Sequence, residues 1–434
     1  MKEYLKELLL ALLILSIVGI LNSCTALPSP DSGDGKIKNI HSEKPREKTP
    51  RIEKTELTDL VASNTRFAFD LYRAVRKPES NVIYSPYSIS LALAMTYAGA
   101  EGETQQQMAS TLHFTLAQPR LHPTFNALDI DLANRSAEAQ ARGMQGFRLN
   151  IANSLWGQVG YDFLAGYLDL LAENYGAGLR LLDFQKSHED SRLLINQWVS
   201  DQTNGKIENL LPPGSISPDT RLVLTNAIYF KAAWLVPFKK EETRDETFTL
   251  LDRNQVTVPM MHDRLESLYA EGKNYQAVVL PYEGDELSMI ILLPQTGSFE
   301  AFEDSLSDKR VLDIIDSLEI REIILTMPKF SYTAELDLKQ KLSELGMPIA
   351  FTGGADFSGM NGHGNLMLQD VLHKAYISVN EAGTEAAAST AVIVGPTSVP
   401  PTATVTLDHP FIFLIRDWKT GTVLFVGRVT NPAK

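Results

Sequence analysis

The sequence predicts an α+β fold, and three observations carry that prediction. The chain has 434 residues, 44% of them hydrophobic, enough to bury a large core as one big mixed domain or two smaller ones. Helix-period and strand-length apolar runs interleave from residue 57 to the C-terminus. No internal repeat interrupts them.

Taken in order, the first segment reads as an export signal. Lys2 and Lys6 flank its start, Leu8 to Ile20 is almost wholly apolar, and Leu21-Asn22-Ser23-Cys24 closes it. Thirteen residues at helical rise reach about 20 Å, short of the roughly 30 Å hydrocarbon core, which favours a cleaved signal over a span. A cysteine after a small residue resembles a bacterial lipoprotein box. That resemblance implies a signal peptide over 1–23, a lipid on Cys24 as the membrane partner, and a place in the cell envelope. Thr25, not an acidic residue, leans towards the outer membrane or cell surface, facing periplasm or exterior; Glu3 and Glu7 dilute the positive start and leave an ordinary signal as the alternative. Residues 24–56 are rich in Pro, Ser, Gly and mixed charge and predict a disordered tether.

The globular domain is expected over 57–434. Leu60, Val61, Asn64, Phe67, Ala68, Leu71 and Val75 keep helical spacing until Lys77-Pro78. Ser85 suits a helix cap with Pro86 at the first position, and the run from Leu91 to Gly99 is apolar all round, as in a buried central helix. Strand character follows at Phe147 to Trp156, helices at Tyr161 to Tyr175 and Ser191 to Thr203, and an apolar strand at Leu222 to Phe230. Further strands are predicted at Ala277 to Leu280, Leu287 to Leu293 and Glu322 to Met327, then a helix at Leu336 to Leu345 and a glycine-rich loop at 353–364. Val371 to Asn380 alternates, with Val371, His373, Ala375, Ile377 and Val379 on one face. Strands at Val405 to Leu407, Phe411 to Ile415 and Val423 to Val429 close the chain, the last two joined by a turn at Lys419-Thr420-Gly421.

Composition excludes several functions. A formal charge of −13 without a basic stripe argues against nucleic acid. Cys24 is the only cysteine, which rules out an internal disulfide or a cysteine-based zinc site. No nucleophile elbow, zinc-helix pair or phosphate loop appears, and the eight histidines are scattered, so neither catalytic residues, cofactor nor metal are expected. His363 reads as a solvated loop residue, His373 as a hydrogen-bonded core residue.

The stretch after Asn380 suits neither a buried strand nor a settled loop. Glu381-Ala382-Gly383-Thr384-Glu385-Ala386-Ala387-Ala388-Ser389-Thr390 breaks the alternation at Gly383 and continues with small side chains. Drawn out as a strand, Thr384, Ala386, Ala388 and Thr390 share one face, and none is bulky enough to overpack a core. Gly395-Pro396-Thr397-Ser398-Val399-Pro400-Pro401 then reads as stretched, exposed chain. An Ala-rich helix running into a linker is the bland alternative.

Five motifs resolve the choice. Asn81-Val82-Ile83-Tyr84-Ser85-Pro86-Tyr87-Ser88-Ile89-Ser90, Thr203-Asn204-Gly205-Lys206-Ile207, Thr225-Asn226-Ala227-Ile228-Tyr229-Phe230-Lys231 with Trp234, Met327-Pro328-Lys329-Phe330 and Leu407-Asp408-His409-Pro410-Phe411 resemble serpin motifs, in serpin order. With the 381–390 stretch, which resembles the hinge of inhibitory members, they span nearly all of 57–432. The resemblance implies three β-sheets, eight or nine helices and an exposed reactive-centre loop. It implies a shutter at Ser85, Ser88, Asn226 and His373, a breach at Trp234, and a hinge at Glu381, Gly383, Thr384, Glu385, Ala386, Ala387, Ala388, Ser389 and Thr390.

The function implied is suicide inhibition by a monomer, not enzymatic turnover. A serine protease acylated by the bait bond is carried along as the cut loop enters the main sheet. About 14 residues at strand rise displace it by roughly 45 Å, and deacylation stalls. Counting from Glu381 places the bait bond at Thr397-Ser398; counting back from His409 places it at Val399-Pro400. Both suit proteases with a small apolar pocket, elastase-like or subtilisin-like, with papain-like cysteine proteases and a non-inhibitory binding or chaperone role as alternatives. Ala232 departs from the glycine usual there, and a local backbone adjustment is expected.

Overall fold

The computed structural model describes residues 37–141, 144, 147–384 and 401–434. The signal segment, Cys24, the hinge from Glu385 to Thr390, and both bait-bond positions lie outside them. Among the described residues sixteen strands and ten α-helices follow in order, one helix of only four residues. The first part runs β1 (Lys38–Ile40), α1 (Lys54–Val75), β2 (Val82–Tyr84), α2 (Pro86–Tyr97), α3 (Gly102–Thr111), α4 (Gln118–Ala141) and β3 (Phe147–Gln158). Next come α5 (Ala165–Tyr175), β4 (Leu179–Leu182), α6 (Phe184–Gln202), β5 (Leu222–Ala233), β6 (Arg244–Thr249), β7 (Gln255–Gly272), β8 (Tyr275–Pro281) and β9 (Leu287–Pro294). The chain continues with α7 (Phe299–Asp304), α8 (Asp308–Asp316), β10 (Glu319–Pro328), β11 (Phe330–Asp337), α9 (Leu338–Leu345) and α10 (Ser358–Asn361). It ends with β12 (Asp370–Asn380), β13 (Gly383–Thr384), β14 (Thr402–Thr406), β15 (Phe411–Asp417) and β16 (Val423–Val429).

The expected three-sheet architecture is present. One sheet has seven strands in the order β1-β4-β3-β5-β13-β12-β11. The other nine form two limbs, β6, β7, β10 and β14 on one side and β8, β9, β15, β16 and β2 on the other. They join because the 18-residue β7 pairs with β6 and β10 along most of its length and with β8 at its end.

The seven-stranded sheet is covered on both faces. Ser85 Oγ accepts from Ser88 N–H at the start of α2, Pro86 follows at the first position, and every residue of the helix is buried. With no polar face, α2 has to be surrounded, and it packs against β3, β5, β16 and α1. On the opposite face α6 lays Phe184, Ile195 and Val199 over Trp156, Val223 and Leu372, a separate apolar cluster.

The tether reading needs correction. Residues 37–56 belong to the folded unit, which starts at Ile37. β1 adds antiparallel to β4, pairing Lys38, Asn39 and Ile40 with Leu181, Arg180 and Leu179. Lys44 Nζ then sits 3.0 Å from both Asp169 and Glu173, and Arg46 binds Asn126 and Asp129 at 2.8 and 2.6 Å. Glu56, inside α1, pairs with Arg120. This polar stretch has no core of its own, but its charges meet complementary ones on α4 and α5, so it lies down as a strap.

Candidate functional site

Two polar clusters and one short strand occupy the middle of the seven-stranded sheet. Below, β5 and β12 pair directly and in parallel, with seven register pairs from Val223↔Asp370 to Tyr229↔Tyr376. Above, they part, and β13 lies between them: Gly383 and Thr384 face Ala233 and Ala232 on β5, and Asn380 and Val379 on β12, antiparallel to both. The sheet is therefore a fork with the first two residues of the returning chain in its crotch.

Local chemistry holds the chain there. Ala382 N–H donates to Asn380 Oδ1 at 2.9 Å, closing the turn after β12. Gly383 has φ +145°, and a Cβ on it would stand 2.3 Å from Ala232 O, so only glycine fits between the strands. Thr384 is 0% exposed, its hydroxyl 2.8 Å from Tyr282 Oη. Tyr282 stacks on Trp234 at 4.7 Å, and Trp234 Nε1 donates to Asn380 O at 3.0 Å. Trp234 thus stands at the top of the fork, beside the turn after β12. Glu381 is bound by Lys329 Nζ at 3.0 Å and Thr243 Oγ1 at 2.9 Å. Burial raises its pKa, but hydrogen bonds from its own backbone, Lys329 and Thr243 outweigh that and hold it below the usual carboxylate range. Ala232 needs no backbone adjustment: it is an ordinary buried residue of β5 opposite Phe147 and Thr384.

The second cluster lies at the Asn226↔His373 register pair, within the closed part. His373 is fully buried, facing inwards with Val371, Ala375, Ile377 and Val379 as the alternation predicts. Its Nδ1 donates to Asn226 Oδ1, and its Nε2 accepts from Ser85 N–H at 3.2 Å, which fixes the tautomer. Asn226 Nδ2 donates to Ser88 O at 2.7 Å, to Ser88 Oγ at 2.9 Å and to Asn153 Oδ1 at 2.5 Å. Ser85, Ser88, Asn226 and His373 are thus one network across α2, β5 and β12. Asn153 of β3 completes it and was missed: it stands among other polar residues of its strand, Arg148, Asn150 and Ser154, and nothing local singles it out.

Burial pushes His373 down to about pKa 3, and the equally buried His122 likewise. Both stay neutral in the folded state and gain a proton on unfolding below about pH 6.5. Stability is therefore full above that pH and falls as pH drops towards 3, by about 1.4 kcal/mol per unit for each histidine. Urea midpoints between pH 7 and 5 test this. His373→Gln is expected to remove about half of the slope, and an unchanged slope would refute it.

No nucleophile with an attendant base lies among these residues, and among the described residues no three His, Cys, Asp or Glu side chains gather as a metal site. The geometry is that of a sheet whose two middle strands pair below and part above around a short returning strand.

Comparison with known proteins agrees. Residues 62–432 match the family model described as Serpin (serine protease inhibitor). An uncharacterized serpin-like protein of Thermococcus kodakarensis, TK1782, is 38% identical over 98% of both chains. Human leukocyte elastase inhibitor is 37% identical over 87% of this chain and all of its own. Among solved structures, the native state of tengpin, a thermophilic serpin, matches with a TM-score of 0.78 at 31% identity, covering 91% of this chain and all of that one. The chain belongs to the serpin family.

Proposed function

We propose that this serpin traps serine proteases as acyl-enzymes by drawing its cleaved loop into the fork between β5 and β12. The observation that carries the reading is the seating of Gly383 and Thr384 there, which sets a register for all that follows. Counting six residues on from Thr384 brings Thr390 opposite both Asn226 and His373. The loop reaches the polar cluster with a threonine, whose hydroxyl donates and accepts in place of the Asn226–His373 bond it separates. Each inserted residue replaces one parallel contact by two antiparallel ones. Net hydrogen-bond gains of about 1 kcal/mol each work against about 1 to 2 kcal/mol of ordering per residue. Small inward side chains at 384, 386, 388 and 390 let that balance favour insertion.

The bait bond in this reading is Thr397-Ser398, with Val399-Pro400 as the competing position. A small β-branched residue before the cut suits an elastase-like pocket, and the similarity to leukocyte elastase inhibitor supports the same target class. Cys24 ties the chain to a membrane, on the sequence signal alone. The test is a denaturing gel with pancreatic elastase and mass spectrometry of the released peptide. An SDS-resistant band at the summed mass, with a fragment beginning at Ser398, is expected. Cleavage without an adduct would leave a non-inhibitory serpin, and a fragment beginning at Pro400 would move the bait to Val399.

A further inference from the structure

β10 carries an uncovered apolar pair beside the loop's point of return. β10 and β14 run parallel, with Glu322 opposite Thr402 and Ile324 opposite Thr404. Positions on β10 before Glu322 therefore lie towards the side from which the chain enters β14. Ile320 sits there, two residues beyond the start of the pairing, and is 58% exposed; Ile324 is 42% exposed. Strand alternation puts Ile320, Glu322 and Ile324 on one face.

The residue between them is already satisfied. Arg264 grips the Glu322 carboxylate with Nε and Nη2, both at 2.8 Å, and Thr402 Oγ1 donates to it at 2.7 Å. The patch thus has the Arg264–Glu322 ion pair at its centre, branched aliphatic side chains at its rims, and the exposed carboxylate of Glu266 directly across from Glu322 on β7. Covering such a surface strips water from two isoleucines and asks the partner for a cationic or hydrogen-bond-donating group at Glu266, as where the apolar core of an interface meets its polar rim.

Chain length says what covers it. Ser398 is four residues before Thr402, at most about 13 Å of extended chain. A contact of standard size occupies about 800 Å² on each partner, a disc of roughly 16 Å radius. A protease seated on the bait bond has this face within its footprint.

We propose that Ile320 and Ile324, flanking the Arg264–Glu322 pair, form a second contact surface for the attacking serine protease, one that meets an apolar rim beside its cleft with a donor or cation placed towards Glu266. The proposal rests on the inhibitor reading above. The patch lies outside the sheet that receives the loop, so it acts before cleavage. It tightens the encounter complex and raises the second-order rate of inhibition, while the split between trapping and release after acylation stays the same.

The experiment compares the full chain with I320D/I324D and I320T/I324T against pancreatic elastase, by progress curves, stoichiometric titration and thermal midpoint. The aspartate pair is expected to lower the association rate about tenfold at unchanged stoichiometry and midpoint, and the threonine pair to lower it less but measurably. Leu312→Asp, an exposed leucine on α8, should leave the rate alone. Adduct formation at the wild-type rate by I320D/I324D overturns the contact surface and leaves the inhibitor reading standing. An equal loss in Leu312→Asp, or a loss absent from the threonine pair, overturns it as a plain charge effect. No adduct from the unmodified chain overturns both.

Discussion

Replacing Thr384 with arginine is expected to abolish trapping of the protease while leaving cleavage of the loop intact. Thr384 has no exposed surface, and its hydroxyl is occupied by Tyr282. A guanidinium forced into that site has neither counter-ion nor room, and burying such a charge unpaired costs several kcal/mol. In the uncut body the arginine is expected to leave the fork where Thr384 now sits, so the cost of burying it falls due when the cut loop has to re-enter, on the first step of insertion. Each 1.4 kcal/mol on that barrier diverts the acyl-enzyme about tenfold more towards hydrolysis. Inhibitor consumed per protease inactivated should rise from about one to beyond about a hundred, with every molecule cleaved. Thr384→Val, which loses only the Tyr282 bond at about 1 kcal/mol, should remain an inhibitor. One-to-one titration by Thr384→Arg would mean that β13 is not where insertion begins.

Removing residues 37–53 should destabilise the body by about 3 kcal/mol, about 1 kcal/mol for each of the three ladder pairs of β1. A second effect follows from topology. Without β1, the apolar Leu179–Leu182 strand becomes the bare edge of the sheet, and a bare edge recruits other strands. The truncated body is expected to melt earlier and to associate with concentration, read by urea midpoint and light scattering beside the intact chain. Equal stability and a monodisperse solution would show that the strap contributes nothing. Charge reversal at Arg46, which meets Asn126 and Asp129, is a milder form of the same test.

How much of this was legible depends on whether a segment's own pattern or a distant partner decides its structure. α2 could be read because a cap, a proline and an unbroken apolar run say the same thing. β12 could be read because its alternation has one buried face. β7 could not: it carries Pro259 and charged residues through much of its length, being held by strands on either side instead of by burial. β1 is three residues of a polar stretch, a strand only because β4 offers it an edge. β11 was missed for its alternating exposed residues, which leave half of it polar. At the site, the resemblance named Ser85, Ser88, Asn226 and His373 and the hinge as far as it is described. Asn153, Tyr282, Lys329 and Thr243 come to it from other parts of the chain, and nothing local marks a residue for a contact made across the sheet.

The strap has one more consequence, a mechanical one. The folded body starts at Ile37, and β1 is the outermost strand of its sheet. Tension entering from the chain upstream is therefore borne first by three register pairs, and then by the salt links of Lys44 and Arg46. Those contacts yield one after another at the margin, while the fork, three strands further in, is spared the load. The strap is a strain relief: a pull that peels it away reaches α1 before it reaches β5 and β12.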